Sequence, residues 1–257
     1  MLMAVIPVMN EEQTIGSLLD ELAEVPLAQI ILVLNGCTDD SEAVITAHKL
    51  YPKCRLLHYR LPLGVDVPRA IGASYARSKK ARAVLFIDGD MTGRLQCCCR
   101  QLLDEATDGA YDLTLTNCYP YVDYRSQIAK EVLSYREALN RTLDIFDQIG
   151  LATPSHGPHC VSGRLLETVS PKSFAIPPLM MAEAVKKGLK IKVAAALEQQ
   201  EWSSANRGDN HNQRIADTII GDCLQAQAFF LDKPISRSDG RFFNGYHSKR
   251  RFDLIGQ

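Results

Sequence analysis

Short continuous apolar runs alternate along this chain with segments whose apolar positions recur at helical spacing. That alternation predicts buried strands separated by amphipathic helices. Residues 3–6 read as a first strand, followed by Ile15, Leu18, Leu19 and Leu22 on one helix face. Residues 30–34 read as a second strand, and the cluster Thr38-Asp39-Asp40-Ser41 supplies N-cap residue types for a helix through Val44 and Ala47. Residues 55–58 form a weaker third strand. Pro68 sits where a helix tolerates its missing N–H, with Ala70, Ala73 and Ala76 continuing that helix. A fully apolar run from Ala83 then ends at Asp88-Gly89-Asp90. Further on, residues 111–116 predict a strand, and a long amphipathic helix is expected from 128 to 149, with Val132, Tyr135, Leu139, Leu143 and Phe146 on one side. A loop and strand over 154–164 lead to a helix at Leu165. Another helix ends in Lys186-Lys187-Gly188, and a last one carries Ile215, Ile219 and Cys223. The fold class is α/β: a mostly parallel, doubly wound sheet with flanking helices, whose ligands bind at the carboxyl ends of the strands.

Two carboxylates one residue apart at the end of a buried strand are costly without a ligand. Asp88 and Asp90 have the chemistry to give oxygen ligands to Mg2+ or Mn2+, a cation that would also hold a diphosphate, and Gly89 would let the backbone approach it closely. An isolated Asp-x-Asp is more often an ordinary Asp-Gly turn. The other strand ends change that balance: Pro7-Val8-Met9-Asn10-Glu11-Glu12 after the first strand, Asn35-Gly36-Cys37-Thr38-Asp39 after the second, and Gly64-Val65-Asp66-Val67-Pro68-Arg69 after the third. Neither GxGxxG nor GxxxxGK[ST] occurs, which argues against dinucleotide and P-loop binding.

In order and spacing these four motifs resemble the family-2-type glycosyltransferases of the GT-A (nucleotide-diphospho-sugar transferase) fold, firmly over the first half of the chain and loosely beyond it. The resemblance implies a single domain over 1–257. Residues 1–117 would bind the nucleotide sugar, 118–234 would face the acceptor, and 235–257 would form a basic, aromatic tail. It implies that Pro7, Val8, Met9 and Glu11 hold the nucleoside, that Arg69 approaches the nucleotide, and that Asp88, Gly89 and Asp90 serve donor and metal, with Asp90 the direct ligand. Asn35 stands where many relatives carry an aspartate. An amide both donates and accepts, so UDP- and GDP-linked donors stay open. The implied partners are a nucleoside diphosphate sugar and a hydroxyl acceptor.

One departure bears on mechanism. Inverting members usually carry a carboxylate before the helix that here ends at Lys186, whereas this chain has Ala175-Ile176-Pro177-Pro178. The nearest acid, Glu183, reads as solvated helix surface. His211 is placed similarly to the histidine that completes the metal site of retaining glucosyl-3-phosphoglycerate and mannosylglycerate synthases, so the resemblance implies His211 as a third metal ligand and Arg207, in the same segment, as a catalytic residue beside Asp90. Retention of anomeric configuration follows from that reading. His156 and His159 read as polar loop residues lining an acceptor pocket, because a zinc site would need a spaced second ligand pair. A sugar-phosphate nucleotidylyltransferase would need a glycine-rich basic loop after the first strand, which is missing. A nucleotide-sugar-binding protein without catalysis stays open.

Net charge −1 and a pI near 6.6 give no basic field for nucleic acid. The first strand begins beside Met1 and no apolar run reaches membrane-spanning length, so a cytoplasmic location is expected. The 8 cysteines fit reduced thiols, with Cys98 and Cys99 on a buried helix face and Cys97 off it. Arg237, Arg241, His247, Lys249, Arg250 and Arg251 interleave with Phe242, Phe243, Tyr246 and Phe252 in the tail. Such a segment suits a solvated arm, a protomer contact in a homodimer, peripheral contact with an anionic membrane, or a flap over the active site.

Overall fold

A computed structural model describes residues 1–119, 126–197, 202–203 and 208–256. The first half follows the predicted alternation: β1 (Leu2–Val8), α1 (Ile15–Ala23), β2 (Gln29–Asn35), α2 (Ser41–Ala47), β3 (Cys54–Tyr59), α3 (Val67–Ser78), β4 (Ala83–Phe86), β5 (Thr92–Gly93) and α4 (Gln96–Thr107). The second half adds β6 (Leu113–Asn117), α5 (Gln127–Thr142), α6 (Phe146–Ile149), β7 (His159–Ser162), α7 (Gly163–Thr168), α8 (Pro177–Lys186), β8 (Ile191–Ala196), β9 (Trp202–Ser203) and α9 (Asp209–Phe230).

Seven strands form one sheet in the order β3-β2-β1-β4-β7-β6-β8, and β5 pairs with β9 in a small second one. β1 pairs in parallel with β2 on one side and β4 on the other, so the chain reverses its direction of winding at β1. That reversal opens a crevice at the carboxyl ends of β1 and β4, where open α/β sheets bind ligands. β7 runs antiparallel to both β4 and β6. Its amino end, with the loop before it, therefore reaches the same carboxyl edge.

Side-chain alternation along β1 divides the core. Met3 and Val5 enter one cluster with α3, α5, α8 and α9, while Ala4, Ile6 and Val8 enter the other with α1, α2 and α4. Ile15, Leu18, Leu19 and Leu22 of α1 are all buried, as their spacing predicts. Cys98 and Cys99 are buried and Cys97 is exposed. Gly72 is required where α3 crosses β1, since a Cβ there would lie 2.3 Å from Val5 Cγ1.

Three expectations are corrected. The helix foreseen over 128–149 is two helices, because Asp144 takes a left-handed conformation (φ 59°) and the Asn140 amide holds the returning chain through the Gly150 and Ala152 carbonyls. His159 is not in a loop. It lies buried at the start of β7, stacked on Phe86 at 5.0 Å, and burial drives its pKa well below the ordinary range. Glu183 is not solvated surface: it is buried, accepts from Ser170 N–H and Ser173 Oγ, and pairs with Lys187. Among the described residues no helix is long and apolar enough to cross a membrane.

Candidate active site

The turn after β1 and the turn before α2 are knitted together by their own polar groups. Asn10, at a left-handed φ of 60°, accepts the Thr38 N–H on Oδ1 at 2.8 Å. Glu11 N–H donates to Ser41 Oγ, whose hydroxyl donates in turn to Asp39 Oδ1. Glu12 N–H donates to Asp39, and Glu12 accepts the Asp40 N–H. Thr14 Oγ1 then reaches the Gly89 carbonyl at 2.9 Å. The first two motifs thus act as a rigid floor under the acid pair.

Gly89 is needed for that closeness. Its N–H donates to the Pro7 carbonyl, and a Cβ on Gly89 would stand 2.7 Å from the same oxygen. Backbone cannot swing aside as a side-chain tip can. Gly89→Ala is expected to cost about 1–3 kcal/mol of stability through overpacking, read from the midpoint of denaturant unfolding. An unchanged midpoint would show that the turn has slack.

A cavity of about 360 Å³ follows the carboxyl edge, and Pro7, Met9, Asn35, Arg69, Asp88, Asp90 and His211 all line it. Val8, Glu11 and Gly89 lie behind its wall: Val8 is in the core, Glu11 is buried, and Gly89 supports the turn. Arg207 lies outside the described residues, as do residues 120–125 of the expected acceptor loop. Asn35 Oδ1 accepts the Leu63 N–H at 2.6 Å while Nδ2, among the described residues, meets the Met9 thioether at 3.8 Å. The amide therefore turns its donor toward the cavity.

Arg69, also lining the cavity, is buried rather than solvent-facing. Its Nη2 contacts Asp88 Oδ1 at 2.5 Å and its Nε lies 3.3 Å from Asp66 Oδ1. Burial opposes the charge on Arg69, but Asp88 and Asp66 outweigh it and hold its pKa above the ordinary value. His156, another lining residue, stacks on Tyr119 at 5.1 Å. Burial, reinforced by the charge on Arg136, lowers the His156 pKa to about 3, so this ring is neutral at physiological pH. His211, in the first turn of α9, shares a 2.9 Å hydrogen bond between Nδ1 and the Tyr246 hydroxyl.

Among the described residues no three His, Cys, Asp or Glu side chains converge into a ready-made metal cage. What the cavity does present is two carboxylates on one turn, Asp88 and Asp90, with His211 among its lining residues. Such an incomplete oxygen set suits Mg2+ or Mn2+, which are commonly held by one or two carboxylates together with phosphate oxygens of a substrate. Sequence reasoning missed Asp66 and Asp222 as residues of this cavity, whereas Tyr246 and Arg250 belong to the tail for which a flap over the active site was one of the readings. The left-handed φ of 63° at Asp66 is a local feature that its neighbour Gly64 hints at.

The sequence profile of glycosyl transferase family 2 matches residues 3–164, more than half of the chain. No curated protein matches. Among solved structures, glucosyl-3-phosphoglycerate synthase from Mycobacterium tuberculosis in complex with Mg2+ and uridine diphosphate superposes with a TM-score of 0.64 at 18% identity, covering 91% of this chain and 80% of that one. The same enzyme with Mn2+, UDP-glucose and phosphoglyceric acid gives 0.64 at 17% identity and the same coverage. Its complex with Mn2+, uridine diphosphate and glucosyl-3-phosphoglycerate gives 0.59 at 19%, covering 86% and 79%. At this identity the likeness establishes the α/β GT-A fold.

Proposed function

The chain belongs to glycosyl transferase family 2, and from that premise we propose that the cavity at the carboxyl edge takes a nucleoside diphosphate sugar and passes the sugar to a hydroxyl acceptor. The observation that carries this reading is the one cavity shared by Pro7, Met9, Asn35, Arg69, Asp88, Asp90 and His211, which gathers all four strand-end motifs and the start of α9 at the winding switch of the sheet. The Asn35 donor is complementary to a base carbonyl, which uracil and guanine both carry. The uridine diphosphate and divalent cations bound by the structural neighbours favour UDP among these and Mn2+ or Mg2+ as the ion.

Asp88 and Asp90, with His211, would hold the ion, which when bound neutralises charge developing on the leaving diphosphate. Arg69, fixed between Asp66 and Asp88, places a permanent positive charge beside that group. Retention is the proposed stereochemistry. Ile176 and Pro177 at the start of α8 carry no proton acceptor, and Glu183 is engaged by Ser170 and Ser173. Two further acids lining the cavity, Asp66 and Asp222, are held by guanidiniums. In front-face transfer the C1–O bond to diphosphate breaks as the bond to the acceptor oxygen forms on the same face. The acceptor proton passes to the departing diphosphate oxygen, so no side-chain base is needed.

A thermal-shift screen of nucleoside diphosphates tests the donor site. At about a hundred times its dissociation constant, the right nucleotide with Mn2+ or Mg2+ is expected to raise the midpoint by about 5–10 °C, and by less without metal. No shift with any common nucleoside diphosphate and either metal would contradict the reading.

A further inference from the structure

Residues 235–256 are bound to the rest of the chain by fixed charges. Arg237 Nη1 contacts Asp222 Oδ1 at 2.6 Å, and Arg250 grips the same carboxylate through two bonds of 2.8 and 2.7 Å. Arg250 Nη2 also reaches Asp66 Oδ2 at 3.1 Å, Asp66 faces Arg69, and Arg69 faces Asp88. Six charges therefore alternate in sign, Arg237–Asp222–Arg250–Asp66–Arg69–Asp88, from the tail to the acid pair. Asp222, Arg237 and Arg250 are almost completely buried.

Backbone contacts make the docking specific. Arg250 Nε donates to the Val65 carbonyl and Arg251 N–H to the Leu63 carbonyl. A Cβ at Gly64 would fall 2.6 Å from the Lys249 carbonyl, and one at Gly221 would fall 2.3 Å from the Phe243 carbonyl. Tyr246 from the same segment hydrogen-bonds His211. The segment touches both sides of the cavity without lining it.

We propose that Arg250 and Asp66 are positioning residues for the acid pair: Asp66 divides Arg69 between itself and Asp88, and Arg250 sets how strongly Asp66 competes. This inference rests on the donor-site reading above. It makes a prediction that simple structural support does not, because the two residues act on Asp88 in opposite senses. Without the Asp66 carboxylate, Arg69 settles wholly on Asp88 and masks it from a cation. Without the Arg250 guanidinium, Asp66 draws Arg69 to itself and leaves Asp88 more negative, while Asp222 keeps Arg237 as its partner.

The test is Mn2+ titration of the full chain, with UDP present, followed by loss of the free-ion electron paramagnetic resonance signal. Asp66→Asn preserves the backbone, since asparagine tolerates a left-handed φ. It is expected to weaken Mn2+ binding about tenfold, the usual scale for a residue that orients a ligand. Arg250→Met is expected to tighten it by about threefold, the scale of a charge interaction at the partly exposed Asp88, on which the effect is read. Opposite shifts support the proposal. Unchanged affinity in both variants, or loss in both, overturns it. Should Arg250→Met not fold, an unchanged or tighter Mn2+ affinity in Asp66→Asn is by itself enough to overturn it. Failure of the wild-type chain to bind Mn2+ and UDP is a separate outcome that removes the donor-site reading and this inference with it.

Discussion

Asp90→Asn is expected to lower metal-dependent nucleotide affinity by about a hundredfold, at least the upper end of what loss of a residue that merely orients a ligand costs, while leaving the fold intact. Asp90 lines the cavity and is only half-buried, so its carboxylate adds little to the core. Asparagine keeps the shape and removes the charge, which separates electrostatics from packing. Calorimetric titration of Asp90→Asn with UDP or GDP, with and without Mn2+, reads the effect. Loss of the metal-dependent part with an unchanged unfolding midpoint is the expected result. Wild-type affinity in the variant would remove Asp90 from the site.

The largest stability effect is expected at Asp222. Its carboxylate, 2% exposed, separates two buried guanidiniums that would otherwise face one another. Asp222→Ala leaves Arg237 and Arg250 without it, and removal of one member of a buried ionic cluster costs about 3–5 kcal/mol. That is a large share of the margin by which a domain of this size is stable. The exposed pair of Arg141 and Glu137 on α5 is the internal comparison: Glu137→Ala should barely move the denaturant midpoint, because solvent already screens it. Similar midpoints for the two variants would show that the buried cluster is not a stabilising hub.

The parts of this account that were legible in the sequence are those carried by local periodicity and local chemistry. The apolar face of α1, the Pro68 start of α3 and the apolar run into Asp88 each follow from neighbours within a few residues, and each stands where expected. The strand expected within 154–164 is β7, but its antiparallel direction was not legible because pairing partners lie far away in sequence, and its histidine looked polar until Phe86 supplied a stacking partner. Glu183 escaped for a related reason: an acid on a helix reads as solvent-facing unless its partners are known, and Ser170 and Ser173 come from a preceding turn. The charge ladder was least legible of all. Arg250 and Asp66 are 184 positions apart, and a basic run such as Lys249-Arg250-Arg251 gives no sign of which side chain turns inward.

The central claim is that the crevice between β1 and β4 is a metal-assisted nucleotide-sugar site. Its most direct test is a crystal structure with Mn2+ and UDP, with the ion placed by anomalous scattering. The account predicts a manganese peak within ligand distance of Asp90, with the diphosphate beside it and the base against Pro7, Met9 and Asn35. A manganese peak and a nucleotide bound together elsewhere on the molecule would contradict it.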